Sequence, residues 1–551
     1  MSDNLKLAEL LFPNTTKTPA DMEEIFPPRN LKEGARVTRL APSPTGFLHF
    51  GNLFAGMVAY KTAKVSDGIF FVRVEDTDQK RKVEGAIKVM LDGLEAFDVV
   101  ADEGVVGEDI EKGDYGPYYQ SKRKDIYHVY AKQLVIDGLA YPCFCSAEEL
   151  DEIRAEQENE PQKGYWGKYA KCRSLTLSDI EKNIAEGKQW TLRLKSPGDA
   201  QKKCFFDDMI KGKIEMPENV QDVVLLKSDG IPTYHFAHAV DDHLMRTTHV
   251  VRGDEWMSSC PVHLQLFKCL GFRAPKYAHV APIMKEENGG KRKLSKRKDP
   301  EAAVTFYIEQ GYPKESVNEY IMTLMNSNFG DWRKTNKDAD IDSFPFNLKK
   351  MSVSGALFDM VKLGDVSKNV ISVMDAKKVY DYTVSWAKEY DSELYGLLTK
   401  DEEYSVSLLN IDREGPKPRK DIACFSEVKA YISYMFDEIY EKNYALPENL
   451  TKEMAAEILE AYLKEYTAAD DKQGWFDRIK GLCEPLGYTP NVKEYKKNPD
   501  AFKGHVGDVS TVIRVAVTGR RNTPDLWAIM SLLGEDKVKA RLSEALDFYR
   551  A

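Results

Sequence analysis

Hydrophobic and polar positions fall into distinct textures along this 551-residue chain. Residues 1–34 are polar and interrupted by proline ("FPNTTKTPADMEEIFPPRN"), which predicts an arm laid on the surface with one short helix. From Arg36 a strand signal ("RVTRL"), an apolar helix ("GNLFAGMVAYKTAKVSDG") and a second strand ("GIFFVRVEDTD") follow one another. The run Ile69 to Val74 is apolar except for Arg73, as in a parallel strand covered on both faces. This is the βαβ pattern of a doubly wound α/β sheet of Rossmann type. Between 116 and 230 the texture turns irregular, with "CFCSAEEL", a charged helix to Asn159 and a strand in "TLRLKSPGD". The stretch "VVLLKSDGIPTYHFAHAVDDHLMRTTHVVRG" then predicts strand, Asp-Gly turn, strand, helix and strand, which resumes the sheet. Beyond residue 350 apolar positions recur at three and four ("VKAYISYMFDEIYEKNY", "TKEMAAEILEAYLKEYTAAD", "TPDLWAIMSLLG"), predicting an all-α remainder.

The expected organisation is an arm (1–34), the first half of an α/β domain (35–115), an inserted domain (116–230), the second half (231–284), a loop with a further domain (285–365) and a helical region (366–551). With 42% apolar residues each domain has the material for its own core. A net charge of -10 argues against coating nucleic acid by bulk charge, so any such contact is expected to be patchy. The N-terminus lacks a secretory pattern, and no apolar run approaches the roughly 18 residues of a membrane span. The eight cysteines are spaced as ordinary reduced thiols. A cytoplasmic monomer without membrane contact is expected.

Two stretches carry candidate chemistry. In "RLAPSPTGFLHFGNLFAG" the prolines exclude a regular ladder, so a shaped loop joins the first strand to the first helix. His49 and Gly51 stand at that helix N-terminus, on the sheet edge where ligands and phosphates bind; alternatively, His49 only fills a turn. In "KEENGGKRKLSKRKD", Lys285 to Asp299, six of the eight residues from Lys291 to Lys298 are cationic, which predicts a flexible positive loop; a solvated charge run is the other reading.

The pair His49-Phe50-Gly51-Asn52 and Lys293-Leu294-Ser295-Lys296-Arg297 resembles the H-x-G and K-x-S-K signatures of class I aminoacyl-tRNA synthetases. Within that class, "RLAPSPTGFLHFGN", "VRVEDTD", "PTYHFAHAVDDH" and "VRGDEW" resemble the glutamyl-tRNA synthetases, and "VIRVAVTGRRNTPDLWAIMSLLG" is similar to the last helical domain of the bacterial form. The resemblance implies a catalytic domain with an inserted acceptor-end domain, followed by helical anticodon-binding domains. It implies activation of L-glutamate by ATP with Mg²⁺, and transfer to tRNA(Glu) or also to tRNA(Gln). It assigns Arg39, Ser43, Glu75, Tyr234, His238 and Arg252 to glutamate; His49, Gly51, Asn52, Lys293, Leu294, Ser295 and Lys296 to ATP; and His49, Lys293 and Lys296 to catalysis. Arg514 is the implied anticodon contact, with an ion pair on a helix face as the alternative. Some relatives bind Zn²⁺ where this chain has Cys143, Cys145 and Cys172, with Tyr169 named here as the fourth ligand and Tyr165 as its alternative; three buried free thiols are the other reading. The chain departs from the family in having His238 where Asn is commoner, Phe54 for a common Arg and Asn52 for the second His. Glutaminyl-tRNA synthetases usually carry a β-barrel C-terminal region, and a shortened relative that modifies a base lacks anticodon domains; the helical tail speaks against both. A non-enzymatic paralogue would be expected to have lost His49, Lys296 or Arg252, and all three are present.

Overall fold

The computed structural model describes residues 2–551 except 45, 47, 79–82, 161 and 296. Lys296 therefore lies outside the described residues. The chain forms two compact units, Met1–Phe306 with Asn318–Asp359, and Tyr307–Val317 with Met360–Ala551.

In the first unit β1 (Val37–Leu40), β2 (Ile69–Val72) and β3 (Glu103–Gly107) pair in parallel, and β4 (Ile110–Lys112) closes the edge antiparallel. Val37, Thr38 and Arg39, like Phe70, Phe71 and Val72, are all buried, because this sheet is covered on both faces. The helix Phe50–Lys64 makes the crossover from β1 to β2. Next come β5 (Ala140–Cys143) and β6 (Thr191–Leu194), an antiparallel pair, then the hairpin β7 (Lys203–Asp208) and β8 (Gly212–Pro217), and β9 (Val224–Leu226), which returns to β6. The strands β10 (His249–Gly253) and β11 (Lys276–Val280) are parallel, and the Thr248 amide donates to the Val37 carbonyl at 3.0 Å, which sets β10 beside β1.

Three sequence expectations change here. The hairpin β7–β8 lies within the span 116–230 assigned to the insert, yet β7 pairs in parallel with β11 and so extends the main sheet. The strand expected after the turn at Asp229-Gly230 is only a single bridge, Leu226 to Pro232, because Pro232 has no N–H with which to continue a ladder. The N-terminal arm holds two helices rather than one, Asp3–Leu11 and Pro19–Ile25; the second is closed by a reciprocal cap between Thr18 and Asp21.

The second unit is helical with one short parallel strand pair, Tyr488–Thr489 with Gly504–His505. The helices Lys452–Glu465 and Leu526–Leu533 lie where the periodicity predicts helix, capped by Thr451 and Asp525. The helix expected over 428–444 stops at Ile432 and passes into a 3-10 turn, Ser433–Met435. Tyr434, Met435 and Phe436 are consecutive and all buried, which one face of an α-helix cannot provide. Among the described residues no helix is long and apolar enough to cross a membrane.

Candidate functional site

The parallel strands end at a cluster of buried guanidiniums. Arg39, near the end of β1, donates through Nε and Nη2 to Asp242 at 3.2 and 3.3 Å. Arg73, wholly buried just past β2, donates to Asp242 at 2.7 Å and to Glu75 at 3.3 Å. Arg123 donates to Asp241 at 2.7 Å, and the Tyr127 hydroxyl and Gln120 amide reach the other oxygen of that acid at 2.8 and 2.9 Å. Asp241 and Asp242 come from the helix Tyr234–Leu244, which places both carboxylates under the strand ends. Burial raises the Asp242 carboxyl, but Arg39 and Arg73 overcome it and hold the group well below the usual carboxylate range. Burial also pushes Glu75 up, with Arg73 and Arg39 pulling against it.

Arg252, near the end of β10, is different. Its Nε donates to His279 Nε2 at 3.1 Å, Nη1 to the Tyr234 hydroxyl at 3.3 Å and to His263 Nδ1 at 3.2 Å, and Nη2 to the Trp256 carbonyl at 3.3 Å and the Cys260 sulfur at 3.2 Å. Every acceptor is neutral. Among the described residues no carboxylate oxygen lies within 4.0 Å of this guanidinium, although it is only 6% exposed. The half-buried Tyr234 and the exposed Trp256, rings 4.3 Å apart, are its solvent-facing neighbours, whereas Cys260, His263 and His279 are buried. The cluster thus joins Arg39, Glu75, Tyr234 and Arg252 at one sheet edge. Ser43 is exposed on the loop after β1. His238 is fully buried behind them, with Nδ1 at 2.7 Å from Asp242 and Nε2 at 3.0 Å from the Tyr277 hydroxyl, and burial takes its imidazole down to about 3, so the ring is neutral.

His49 is the N-cap of the helix Phe50–Lys64, where its Nδ1 accepts the Gly51 amide at 2.9 Å. A nitrogen that accepts carries no proton, so the ring hydrogen sits on Nε2 and makes that atom a donor. A Cβ on Gly51 would stand 3.2 Å from Nδ1, which is why the residue two after the histidine is glycine. The same arrangement recurs at His505-Val506-Gly507 in the second unit: His505 caps the helix Val506–Thr518 through a 2.9 Å bond from the Gly507 amide, and a Cβ on Gly507 would meet the ring at 2.6 Å.

The basic stretch is more ordered than its composition predicts. β12 (Met284–Glu287) and β13 (Gly290–Lys293) form a hairpin whose two turn residues, Asn288 and Gly289, have φ of 51° and 76°. Lys285 lies opposite Arg292 across it, a like-charge pair that would repel. The buried Asp299 offsets this by accepting from Arg292 at 2.6 and 2.7 Å, from Lys285 at 3.2 Å and from the Ser295 amide at 2.9 Å. Lys293 ends β13 exposed, and Leu294 is buried. The chain then comes back to the first motif, where Ala303 bridges His49.

The sulfurs of Cys143, Cys145 and Cys172 lie within 4.8 Å of one another. The tyrosine beside them is Tyr165, whose hydroxyl is 3.5 Å from Cys143, 3.3 Å from Cys145 and 3.1 Å from the Cys172 amide. Tyr169 is turned away, donating to Glu160 at 3.1 Å, which corrects the fourth ligand named from the sequence. In the second unit Arg514 lines a cavity of about 560 Å³ with Asp412, Arg419, Lys472, Gln473 and Trp475. It makes no ion pair among the described residues; Nη1 donates to the Thr523 hydroxyl and to the Pro524 carbonyl at 3.0 Å. Asp241, Asp242, His263 and His279 escaped the sequence reading, although the adjacent acids of "AVDDH" were a visible signal opposite arginines in apolar strands.

Comparison with known proteins gives this geometry its context. Residues 36–364 match the family of class I tRNA synthetases (E and Q), catalytic domain, and residues 493–546 match an anticodon binding domain. The chain is 50% identical to the glutamate--tRNA ligase of Acetivibrio thermocellus over 99% of its own length and 100% of that protein's. It is 52% identical to the corresponding ligase of Clostridium perfringens strain 13, covering 97% and 99%. A glutamate tRNA ligase from Elizabethkingia meningosepticum, solved in complex with its amino acid, is similar in structure with a TM-score of 0.74 at 27% identity, covering 93% and 99%. A buried cationic pocket at the sheet edge, a histidine-capped helix beside it and these matches over nearly the whole chain lead to one assignment: the chain belongs to the glutamate--tRNA ligases, class I aminoacyl-tRNA synthetases.

Proposed function

We propose that this enzyme activates L-glutamate with ATP and transfers it to the 3′ end of tRNA(Glu), releasing AMP and pyrophosphate. The observation that carries this reading is Arg252, a buried cation with only neutral acceptors beside the exposed Trp256, which suits a substrate carboxylate. Arg39 assists it, and Glu75 receives the substrate ammonium. The α-carboxylate attacks the α-phosphorus of ATP and pyrophosphate leaves, so the protein supplies position and charge rather than a nucleophile. His49 Nε2–H, Lys293 and Lys296 stabilise the triphosphate as charge develops, with Gly51, Asn52, Leu294 and Ser295 shaping the nucleotide site. When bound with ATP, Mg²⁺ would supply further positive charge at the same triphosphate.

The span around β5, β6 and β9 is read as the acceptor-end domain and the helical second unit as the anticodon reader, with Arg514 offering its guanidinium to a splayed base in the cavity it lines. The direct test is aminoacylation with radiolabelled glutamate and two transcripts that differ in the third anticodon base. Charging of the tRNA(Glu) transcript is expected; failure to charge either one in a folded preparation sinks the reading. Comparable kcat/KM for both transcripts would mean that tRNA(Gln) is also a substrate.

Cys143, Cys145, Cys172 and Tyr165 suit a structural Zn²⁺. Cys145 and Cys172 sulfurs are 3.6 Å apart, against roughly 3.8 Å for two thiolates on a tetrahedral zinc with ordinary bond lengths. When bound, the ion would cross-link the start of the insert and has no part in the chemistry. Elemental analysis is expected to find about one zinc per chain, whereas less than about a tenth of an equivalent in a fully active preparation would mean free thiols.

A further inference from the structure

The residues that hold Arg252 are themselves wired to an acid outside the pocket. Arginine has donors only, so the bond from its Nε requires His279 Nε2 to be the bare ring nitrogen. The ring proton then sits on Nδ1, 2.7 Å from Asp208 Oδ2. That oxygen also accepts the His279 amide at 3.0 Å, while Oδ1 accepts the amides of Ile210 and Lys211 at 2.9 and 2.8 Å. Burial raises this carboxyl, but the bonds from His279, Lys211 and Ile210 bring it below its ordinary value, so it remains an acceptor-only carboxylate. Asp208 is 3% exposed and His279 fully buried, so water does not compete for these bonds. Asp208 ends β7, the hairpin strand that leaves the insert to join β11, and His279 stands on β11.

We propose that Asp208 is a positioning residue for the substrate: through His279 it selects the imidazole tautomer that holds the Arg252 guanidinium ready for a substrate carboxylate. The inference rests on the reading that Arg252 binds glutamate. A carboxylate is required because it accepts on both sides. An asparagine that keeps its oxygen toward the Ile210 and Lys211 amides turns its NH₂ toward His279, which forces the other tautomer and sets His279 Nε2–H against Arg252 Nε–H.

Steady-state kinetics on the full-length protein with saturating tRNA tests this. Asp208→Asn is expected to raise the KM for glutamate about tenfold or more, the scale of one bond to a charged group, while the KM for ATP stays near the parent's; its thermal midpoint falls, because the buried His279 amide loses its acceptor. His279→Gln keeps an acceptor for Arg252 and a donor for Asp208 and is expected to remain within about threefold of the parent. His279→Leu, which keeps neither, is expected to match Asp208→Asn. This Gln and Leu pair carries the test even if Asp208→Asn fails to fold. An unchanged glutamate KM in Asp208→Asn, equal rises for glutamate and ATP, or Leu no worse than Gln would overturn the proposal. Arg252→Ala run alongside separates the two levels: if it leaves the glutamate KM unchanged, the pocket assignment fails and the inference with it. If it raises that KM while Asp208→Asn does not, the inference alone fails.

Discussion

Arg252→Ala raises the KM for glutamate by about a hundredfold or more and leaves the KM for ATP close to the parent's. Removing one side of a buried, hydrogen-bonded charge pair costs about 2–5 kcal/mol, and each 1.4 kcal/mol is about tenfold. The alanine abolishes the one cation of the pocket that has no carboxylate partner among the described residues. Arg252→Lys recovers little, because the native side chain places donors on His279, Tyr234, His263, Trp256 and Cys260 at once, and a single ammonium cannot reproduce that fork. Initial rates against glutamate and ATP separately check this. A rise of less than about threefold would place the substrate carboxylates elsewhere.

Asp242→Ala destabilises the first unit by about 3–5 kcal/mol, the usual consequence of stripping a buried charge network of one partner. Its two oxygens accept from Arg39, Arg73 and the Thr247 hydroxyl, Oδ2 lies 2.7 Å from His238 Nδ1, and all five residues are buried. Arg73 would keep the more distant Asp241, at 3.7 Å, and Glu75, at 3.3 Å, whereas Arg39 would lose its only carboxylate among the described residues. A lower urea midpoint for the transition that reports the first unit is the readout. Asp242→Asn, which keeps the volume and removes the charge, separates the electrostatic part from the cavity. A midpoint equal to the parent's in both variants would show that the guanidiniums need no anion there.

Part of this cluster was legible because one of its cations breaks an apolar strand pattern. Only Arg73 stood out in that way, within Ile69 to Val74; Arg39 and Arg252 were picked out by the resemblance of their motifs to the family. The acids that hold the cluster were harder to see, since Asp241 and Asp242 sit on a helix whose spacing also suits a solvated face. Contacts between distant segments were harder still. Asp208 finds its role only when β7 pairs with β11, and Tyr165 rather than Tyr169 meets the thiols because the backbone between them folds into a short 3-10 turn, Gly167–Tyr169. In the basic stretch the Asn-Gly turn signal was present, and net charge concealed it.

The doubled histidine cap has a consequence for which positions evolution can change. At His505 the ring accepts the Gly507 amide to start a helix, a task that serine, threonine, aspartate or asparagine performs as well, and packs edge-on against Tyr495. The same replacements at His49 would also start the helix, but they would remove the Nε2–H. Stability alone therefore leaves both sites open to drift, whereas selection on turnover would close only the first if His49 acts on the triphosphate as proposed. Lineages of this enzyme would be expected to vary freely at 505 while 49 stays histidine, even though the two residues are held by the same bond to the backbone.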